Sequence, residues 1–357
     1  MARYEFPSTA ELLEMGTPRP NAVTIYVPAT AAEYDVARTA VKSSMDQAIR
    51  TLRERGADHA IEESFHAITE WILNDDCWEV LSRSLAIFAT PDGAEIYVLP
   101  NNLEHQIQVG GYFDLGQMVR AVATPQRAYA VTLSANEWHL WEASGTTEAH
   151  EVKVDEGDFA DARAHGDDRT QTLEAYAKRV AEKVESVLNK ADPTSERPLF
   201  LFATDPLEGM FREEFDGQRE VVRVPGSPDD LRPDQIDATI RAGLDEINAQ
   251  RATATVDTLA DGISKGLVAT DLADIARAAV GGSVDTLVYD FTVDTLGRLD
   301  GTTGEVTYSD DGYDLMSRIA LIVLQNGGTP VPVRSAEIDS EIWNDVAVAR
   351  LRYPLAQ

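Results

Sequence analysis

Cysteine is almost absent from the sequence. Cys77 stands alone among 357 residues, which excludes an intramolecular disulfide framework and a cysteine-rich zinc site. Long apolar runs are also missing, because the longest strongly apolar stretch, residues 319–324, is far below the roughly 18 residues that a membrane-spanning helix needs. The first residues lack the apolar core of a signal peptide. We therefore expect a cytoplasmic protein with no membrane segment.

Positive charge is scarce relative to negative charge. The chain has 31 Lys and Arg against 61 Asp and Glu, a formal net charge of −30 that is spread along its whole length. An acidic protein of this kind is repelled by nucleic-acid phosphates, so general DNA binding is not expected. Apolar residues make up 43%, which is enough for ordinary buried cores, and the length favours two or three domains.

Helical and strand-like patterns alternate along the chain, which favours an α/β (α+β mixed) architecture. Apolar residues at three- and four-residue spacing predict helices over 37–52, 173–188, 272–279 and 315–323, and a further helix from about Pro233. Runs of β-branched and aromatic residues predict strands at 21–28, 85–89, 95–99, 128–133, 138–141, 198–203, 284–289, 330–333 and 346–353. Residues 296–314, rich in Gly, Thr and Asp, predict a loop or an exposed ribbon.

Several short motifs resemble the bacterial relatives of the archaeo-eukaryotic peptide-chain release factor and Pelota family. They lie at residues 25–28, 77–78, 85–88, 97–100, 112–115, 284–287, 327–331 and 349–353. Between them come a hairpin, a polar loop, a long helix and a strand in the order of the family's middle domain. The resemblance implies a bacterial-type N-terminal α/β domain at 1–124, an RNase H-like middle domain at 125–258, and a C-terminal domain at 259–357. This last domain would be an α-β-α sandwich like that of kink-turn-binding ribosomal proteins.

The family's catalytic Gly-Gly-Gln tripeptide is missing. The equivalent loop, residues 161–169, contains His165, Gly166, Asp167 and Asp168 instead. Peptide release needs glycines for close backbone approach and a glutamine to position the reacting groups, and two aspartates would be repelled by RNA phosphates. The resemblance thus implies a ribosome-binding factor without peptidyl-tRNA hydrolase activity, acting in stalled-ribosome recognition, rescue or hibernation. An elongation-factor-type GTPase is an expected partner, and no cofactor is expected.

The most basic stretch of the chain, residues 38–55, is the predicted RNA-contact face. This stretch contains five cationic and two acidic residues, a local charge of +3. Contacts with phosphate groups need clustered cations. A polar helix face with intrahelical ion pairs is the alternative interpretation. The five cations are Arg38, Lys42, Arg50, Arg53 and Arg55.

Other sequence signals leave alternative functions open. His59, Glu63 and His66 have the spacing of a weak metal-ligand candidate on one helix face, although a solvated face is the favoured interpretation. A metal-dependent nuclease or hydrolase built on the middle domain needs clustered carboxylates, for which Glu137 and Glu142 are the marginal candidates. A protein-interaction scaffold is the third hypothesis. We expect no catalytic residue and no resident metal.

Overall fold

The computed structural model describes residues 2–124, 126–154, 169–194 and 196–354. The chain divides into two compact units, one formed by Met1–Pro125 with Ile247–Gln357 and the other by Gln126–Glu246. Helices and sheets mix in both units, so the predicted α/β class is confirmed. Within the described residues, none of the helices combines the length and the apolar character needed to cross a membrane.

The helices match the predicted periodic segments and add shorter ones. Their bounds are α1 (Thr9–Met15), α2 (Tyr34–Glu54), α3 (His59–Leu73), α4 (Gly116–Ala123), α5 (Arg169–Ala191), α6 (Leu207–Glu214), α7 (Pro233–Ala260), α8 (Leu272–Val280) and α9 (Leu315–Gln325). Asp271 caps α8, accepting hydrogen bonds from the backbone N–H groups of Ala273 and Asp274.

The strands in the described part of the chain form four sheets. Their bounds are β1 (Ala22–Pro28), β2 (Ser84–Thr90), β3 (Gly93–Leu99), β4 (Gln106–Gly110), β5 (Arg127–Leu133), β6 (Trp138–Ser144), β7 (His150–Val152), β8 (Leu199–Ala203), β9 (Val221–Pro225), β10 (Val268–Ala269), β11 (Val284–Asp290), β12 (Leu296–Leu299), β13 (Val306–Tyr308), β14 (Tyr313–Asp314), β15 (Thr329–Val333) and β16 (Ala347–Leu351). The expected ribbon within 296–314 is thus a small three-stranded sheet, β13-β12-β14.

The N-terminal sheet has the order β3-β2-β1-β4 and is antiparallel throughout. A hairpin at Pro91-Asp92-Gly93 joins β2 to β3 and pairs Thr90 with Gly93. One face of the sheet packs on the apolar stripes of α2 and α3, and the other face contacts α1 and α4. Both faces are therefore covered, as the almost continuous burial of β1 and β2 requires.

The C-terminal sheet has the order β10-β16-β11-β15. α8 and α9 pack on one face, while the end of α7 and residues 338–343 pack on the other. In the same compact unit, α4 lies against β15, and Arg120 Nη1 donates to the carbonyl of Pro332 at 2.7 Å. The N-terminal and C-terminal segments of the chain therefore share a packed interior.

The unit Gln126–Glu246 is built on one five-stranded sheet with the order β7-β6-β5-β8-β9. β5, β6 and β7 pair antiparallel, whereas β8 and β9 run parallel to β5 and follow helices α5 and α6. Trp138 is buried in this core, as predicted for at least one of the two tryptophans of β6. α7 approaches the sheet closely at Gly243, where a Cβ atom would lie 2.3 Å from Phe200.

The proposed domain boundaries have different structural settings. The boundary at 124/125 coincides with the change from one compact unit to the other, whereas the boundary at 258/259 lies inside the continuous helix α7. The three-domain division and the two fold-family names for the middle and C-terminal domains remain predictions.

Candidate functional site

The loop at the position of the family's catalytic element lies between β7 and α5. β7 ends at Val152, after pairing with β6 at the edge of the five-stranded sheet, and α5 begins at Arg169. The predicted loop residues His165, Gly166, Asp167 and Asp168 lie outside the described residues. Their role as a non-catalytic loop stays a prediction.

The predicted basic face lies on α2. Val41, Met45, Ala48 and Ile49 are buried against the N-terminal sheet, so the opposite side of the helix is exposed. Arg38, Lys42, Asp46 and Arg50 follow one another at four-residue spacing, which places them along a single stripe of that helix. The folded helix therefore aligns the basic residues, with an acidic residue among them.

Three of the five predicted cations are bonded within the protein. Arg53 donates two hydrogen bonds from Nε and one from Nη2 to the carboxylate of Glu62 on α3, the shortest being 2.6 Å. Arg55 Nη1 donates to the carbonyl of Val109 at 2.5 Å, and Arg38 Nη2 donates to the carbonyl of Leu73 at 2.8 Å. These cations anchor α2 to its neighbours.

Lys42 and Arg50 are exposed, and neither makes an ion pair with another described residue. The structure thus leaves two available cations on the stripe, with Asp46 between them in sequence. The sequence does not distinguish these two cations from the other three, because the contacts of Arg53 and Arg55 are with residues on other elements. Phosphate contact by Lys42 and Arg50 stays a prediction.

The weak metal candidate lies on α3, so its three residues do share one helix. Exposed His59 Nε2 lies 3.3 Å from Glu63 Oε1, and His66 is exposed one turn further along. Among the described residues, no group of three or more His, Cys, Asp or Glu side chains is arranged to hold a metal ion.

The two marginal carboxylates of the nuclease hypothesis lie apart in separate contacts. Glu142 accepts a hydrogen bond from Arg197 at 2.8 Å, and Glu137 lies 3.6 Å from His139. Burial lowers the pKa of His139, but Glu151 and Glu137 together raise it by more, so the net pKa lies above its ordinary value. Each carboxylate therefore has a basic neighbour of its own.

A buried ion pair in the same unit carried no sequence signal. Arg219 Nη1 donates to Asp192 Oδ2 at 2.6 Å, and the two side chains are 2% and 8% exposed. Arg219 and Arg197 both lie over the ring of Tyr129, each 5.4 Å from its centroid. Asp192 had marked only the end of a helix in the sequence. Its partner follows 27 residues later, beyond the range of any local pattern.

Asp314 is buried, unlike the acidic residues just before it in the sequence. The sequence has a weak calcium-ligand pattern at Asp310, Asp311 and Asp314, although a solvated loop is the favoured interpretation of these residues. In the structure Asp310 and Asp311 are exposed, whereas Asp314 is buried and caps α9 by accepting from the Ser317 N–H. The three carboxylates therefore do not share one environment.

The comparison with protein families concerns a large central part of the chain. Residues 129–283 match the model described as bacterial archaeo-eukaryotic release factor family 3. The predicted family resemblance is confirmed. The family 3 match begins in β5, spans the whole five-stranded sheet, and ends between α8 and β11. No curated protein sequence matches the chain.

Three solved structures are similar to this chain at low sequence identity. Pelota from Archaeoglobus fulgidus is 14% identical with a TM-score of 0.41, covering 76% of this chain and 81% of its own. Dom34 from S. cerevisiae, described as a translation termination-like factor interacting with Hbs1, is 12% identical with a TM-score of 0.36, over 76% and 74%. An archaeal Pelota described in a ribosome-bound model with ABCE1 is 12% identical with a TM-score of 0.41, over 99% and 96%.

Proposed function

We propose that this protein is a translation-associated factor that binds the ribosome without hydrolysing peptidyl-tRNA. The observation that carries the proposal is the match of residues 129–283 to a bacterial family of release-factor relatives. Stalled-ribosome recognition, rescue and hibernation are the processes in which a binding factor of this kind would act.

The sequence of residues 161–169 supports the non-catalytic part of the proposal. It contains neither a glycine pair nor a glutamine, and it places Asp167 and Asp168 where the family's loop meets ribosomal RNA. Like charges at that contact oppose binding. A factor with this loop occupies or monitors its site and leaves the ester bond of peptidyl-tRNA intact.

The fold names from the sequence resemblance belong to the same proposal. An RNase H-like middle domain is supported by a sheet in which three antiparallel strands are followed by two parallel ones reached through helices. A kink-turn-type sandwich at 259–357 is supported by the packing of helices on both faces of its sheet. An elongation-factor-type GTPase remains the proposed protein partner.

The exposed cations Lys42 and Arg50 are the proposed RNA contacts of the N-terminal segment. In a net charge of −30, two cations on one stripe cannot support strong non-specific binding. We therefore expect protein contacts to supply most of the affinity for the ribosome, and the stripe to add a small salt-dependent part.

Ribosome co-sedimentation over a series of salt concentrations tests the proposal. The purified full chain should pellet with ribosomes and should release no peptide from peptidyl-tRNA. The double variant Lys42→Glu with Arg50→Glu should bind more weakly, with the slope of log affinity against log salt reduced by about 2. Both substitutions are exposed, so the fold should be unaffected.

Lys190→Glu with Arg298→Glu is the matched control, because it changes the net charge equally at exposed positions on α5 and β12. An equal loss of binding in the control would show that net charge, and not the positions of Lys42 and Arg50, determines the effect. Absence of any ribosome association, both in exponential growth and under stress, would overturn the proposed function itself.

A further inference from the structure

Two carboxyl groups are buried where the β4–α4 connection meets the N-terminus of α9, inside the unit Met1–Pro125 with Ile247–Gln357. Asp114, which lies just before α4, is 3% exposed, and Asp314, the N-cap of α9, is 8% exposed. They are 200 residues apart in sequence. Carboxylates are almost never buried without a cation or a proton to offset their charge.

Asp114 is bonded by neutral donors. Its Oδ1 accepts from the backbone N–H of Gly116 and its Oδ2 accepts from Nε2 of Gln106, both at 2.9 Å. The backbone around Asp114 is also fixed, because its N–H donates to Thr24 Oγ1 and its carbonyl accepts from the hydroxyl of Tyr26. This carboxyl therefore has its hydrogen bonds but no paired positive charge among them.

Asp314 is bonded in the same manner. Its Oδ1 accepts from the N–H of Thr295 at 3.0 Å, and its Oδ2 accepts from the N–H of Ser317 at 2.6 Å. The hydroxyl of Ser317 accepts in turn from the N–H of Leu115 at 2.8 Å, next to Asp114 in the chain. Ser317, a residue of α9, thus contacts both Asp314 and the residue next to Asp114.

The ionisable groups around the pair do not offset its charge. Asp294, before β12, adds a third carboxylate, which accepts from Gln106 at 2.7 Å. Tyr289 on β11 is fully buried beside both carboxyls, where its hydroxyl has no hydrogen-bond partner among the described residues, and Tyr26 on β1 is neutral. Arg120 on α4 donates to Pro332 and Glu337, and Arg318 on α9 donates to the carbonyl of Gly16.

We propose that Asp114 and Asp314 together hold one proton, and that loss of this proton loosens the attachment of the β4–α4 connection to the N-terminus of α9. The pair would form a proton-binding site that joins the N-terminal and C-terminal segments of the chain. Neither the family match nor the proposed ribosome binding requires such a site.

The pKa values of the two groups agree with this geometry. Burial raises the pKa of Asp114 to about 6, while burial and then the neighbouring charge of Asp114 raise the pKa of Asp314 to about 8. Around pH 7 the pair therefore carries about one proton. Both folded pKa values lie above those of an exposed carboxyl. The contribution of the pair to the free energy of unfolding is therefore greatest at low pH and falls as the pH rises, and the loss is complete above about pH 8.

Infrared spectroscopy of the full chain tests the protonation directly. A protonated-carboxyl band should persist at pH 7 in the wild-type protein, disappear as the pH rises above about 8, and be absent at pH 7 from Asp314→Asn. A wild-type spectrum without a protonated carboxyl at pH 7 would overturn the proposal. This result needs no variant to fold.

Thermal unfolding between pH 6 and pH 9 tests the effect on the fold. The wild-type midpoint should fall by about 5 °C or more across this range, and Asp314→Asn should flatten the decline. Asp271→Asn is the matched control, because it changes the exposed N-cap of α8 and should keep the wild-type pH dependence. Parallel curves for wild type and Asp314→Asn would overturn the proposal.

Hydrogen exchange locates the loosening. After correction for the intrinsic pH dependence, the amides of Leu115, Gly116 and Ser317 should lose protection above pH 8 while those of α8 keep theirs. Uniform loss of protection in both regions would contradict a local device at this junction.

Discussion

One buried carboxyl site in each compact unit has a different kind of partner. In Gln126–Glu246, Asp192 and Arg219 pair opposite charges, with both side chains less than a tenth exposed. In the other unit, Asp114 and Asp314 are both acidic and accept hydrogen bonds from neutral donors. Burial alone therefore does not set the pH response of a carboxyl. The partner sets it, so these two sites should lose stability at opposite ends of the pH scale.

The largest effect should come from breaking the opposite-charge pair. Arg219→Met leaves the Asp192 carboxylate buried beside an apolar side chain, which should lower the free energy of unfolding by about 3 kcal/mol. Chemical denaturation measures this loss. Adding Asp192→Asn to Arg219→Met should restore much of it, since the stranded charge is then removed.

Arg232→Met is the control for that substitution. Arg232 pairs with Asp234 at 2.8 Å, but the two side chains are 70% and 57% exposed, so the denaturation midpoint should stay unchanged. A loss at Arg219 no larger than at Arg232 would show that burial of the pair is energetically unimportant.

An intermediate effect should appear in acid. Burial raises the pKa of Asp192, but hydrogen bonds from Arg219, Thr194 and the Arg197 N–H lower it by more, so the net pKa lies below its usual value. A lowered folded pKa gives stability that is present at neutral pH and lost as the pH falls below about 4. Asp192→Asn should therefore lower the stability at neutral pH, because Arg219 loses its partner, and should flatten the acid arm of the unfolding curve without changing the slope above pH 6.

The smallest effect should come from the pair that joins α2 to α3, in which Arg53 is exposed. Arg53→Met removes the bonds to Glu62, yet the Arg53 side chain is 58% exposed, and water compensates for most of the loss. The denaturation midpoint should shift within the error of the measurement. A shift as large as that of Arg219→Met would remove the distinction between exposed and buried pairs on which the comparison rests.

Local patterns were sufficient for much of the fold. The alternation in residues 21–28 predicted β1, the spacing of Ala37, Val41 and Met45 predicted α2, and the apolar spacing over 272–279 predicted α8. Each signal acts within a few residues, through side-chain periodicity or a cap. The short elements α1, α4, α6, β4 and β9 gave no comparable signal, because a few residues cannot establish a period and tertiary packing decides their conformation.

The candidate sites were harder to predict because their chemistry depends on distant partners. The cations of 38–55 were visible as a count, but the bonds of Arg53 to Glu62 and of Arg55 to Val109 depend on packing between elements. Asp314 looked like one member of an exposed acidic loop. Its burial follows from the contact of α9 with residues near 115, some 200 positions earlier in the chain.

One unit is formed from two separate segments of the chain, which affects the order in which the units can fold during synthesis. Gln126–Glu246 is contiguous, so during synthesis β5 to β9 can complete their sheet as soon as that stretch has left the ribosome. The sheet of β1 to β4 is made earlier and pairs only with itself, but the C-terminal residues Leu321 and Pro332 contact the α4 side only after they have been synthesised. The packing around α4 is therefore completed last, although α4 belongs to the part of the chain that is made first.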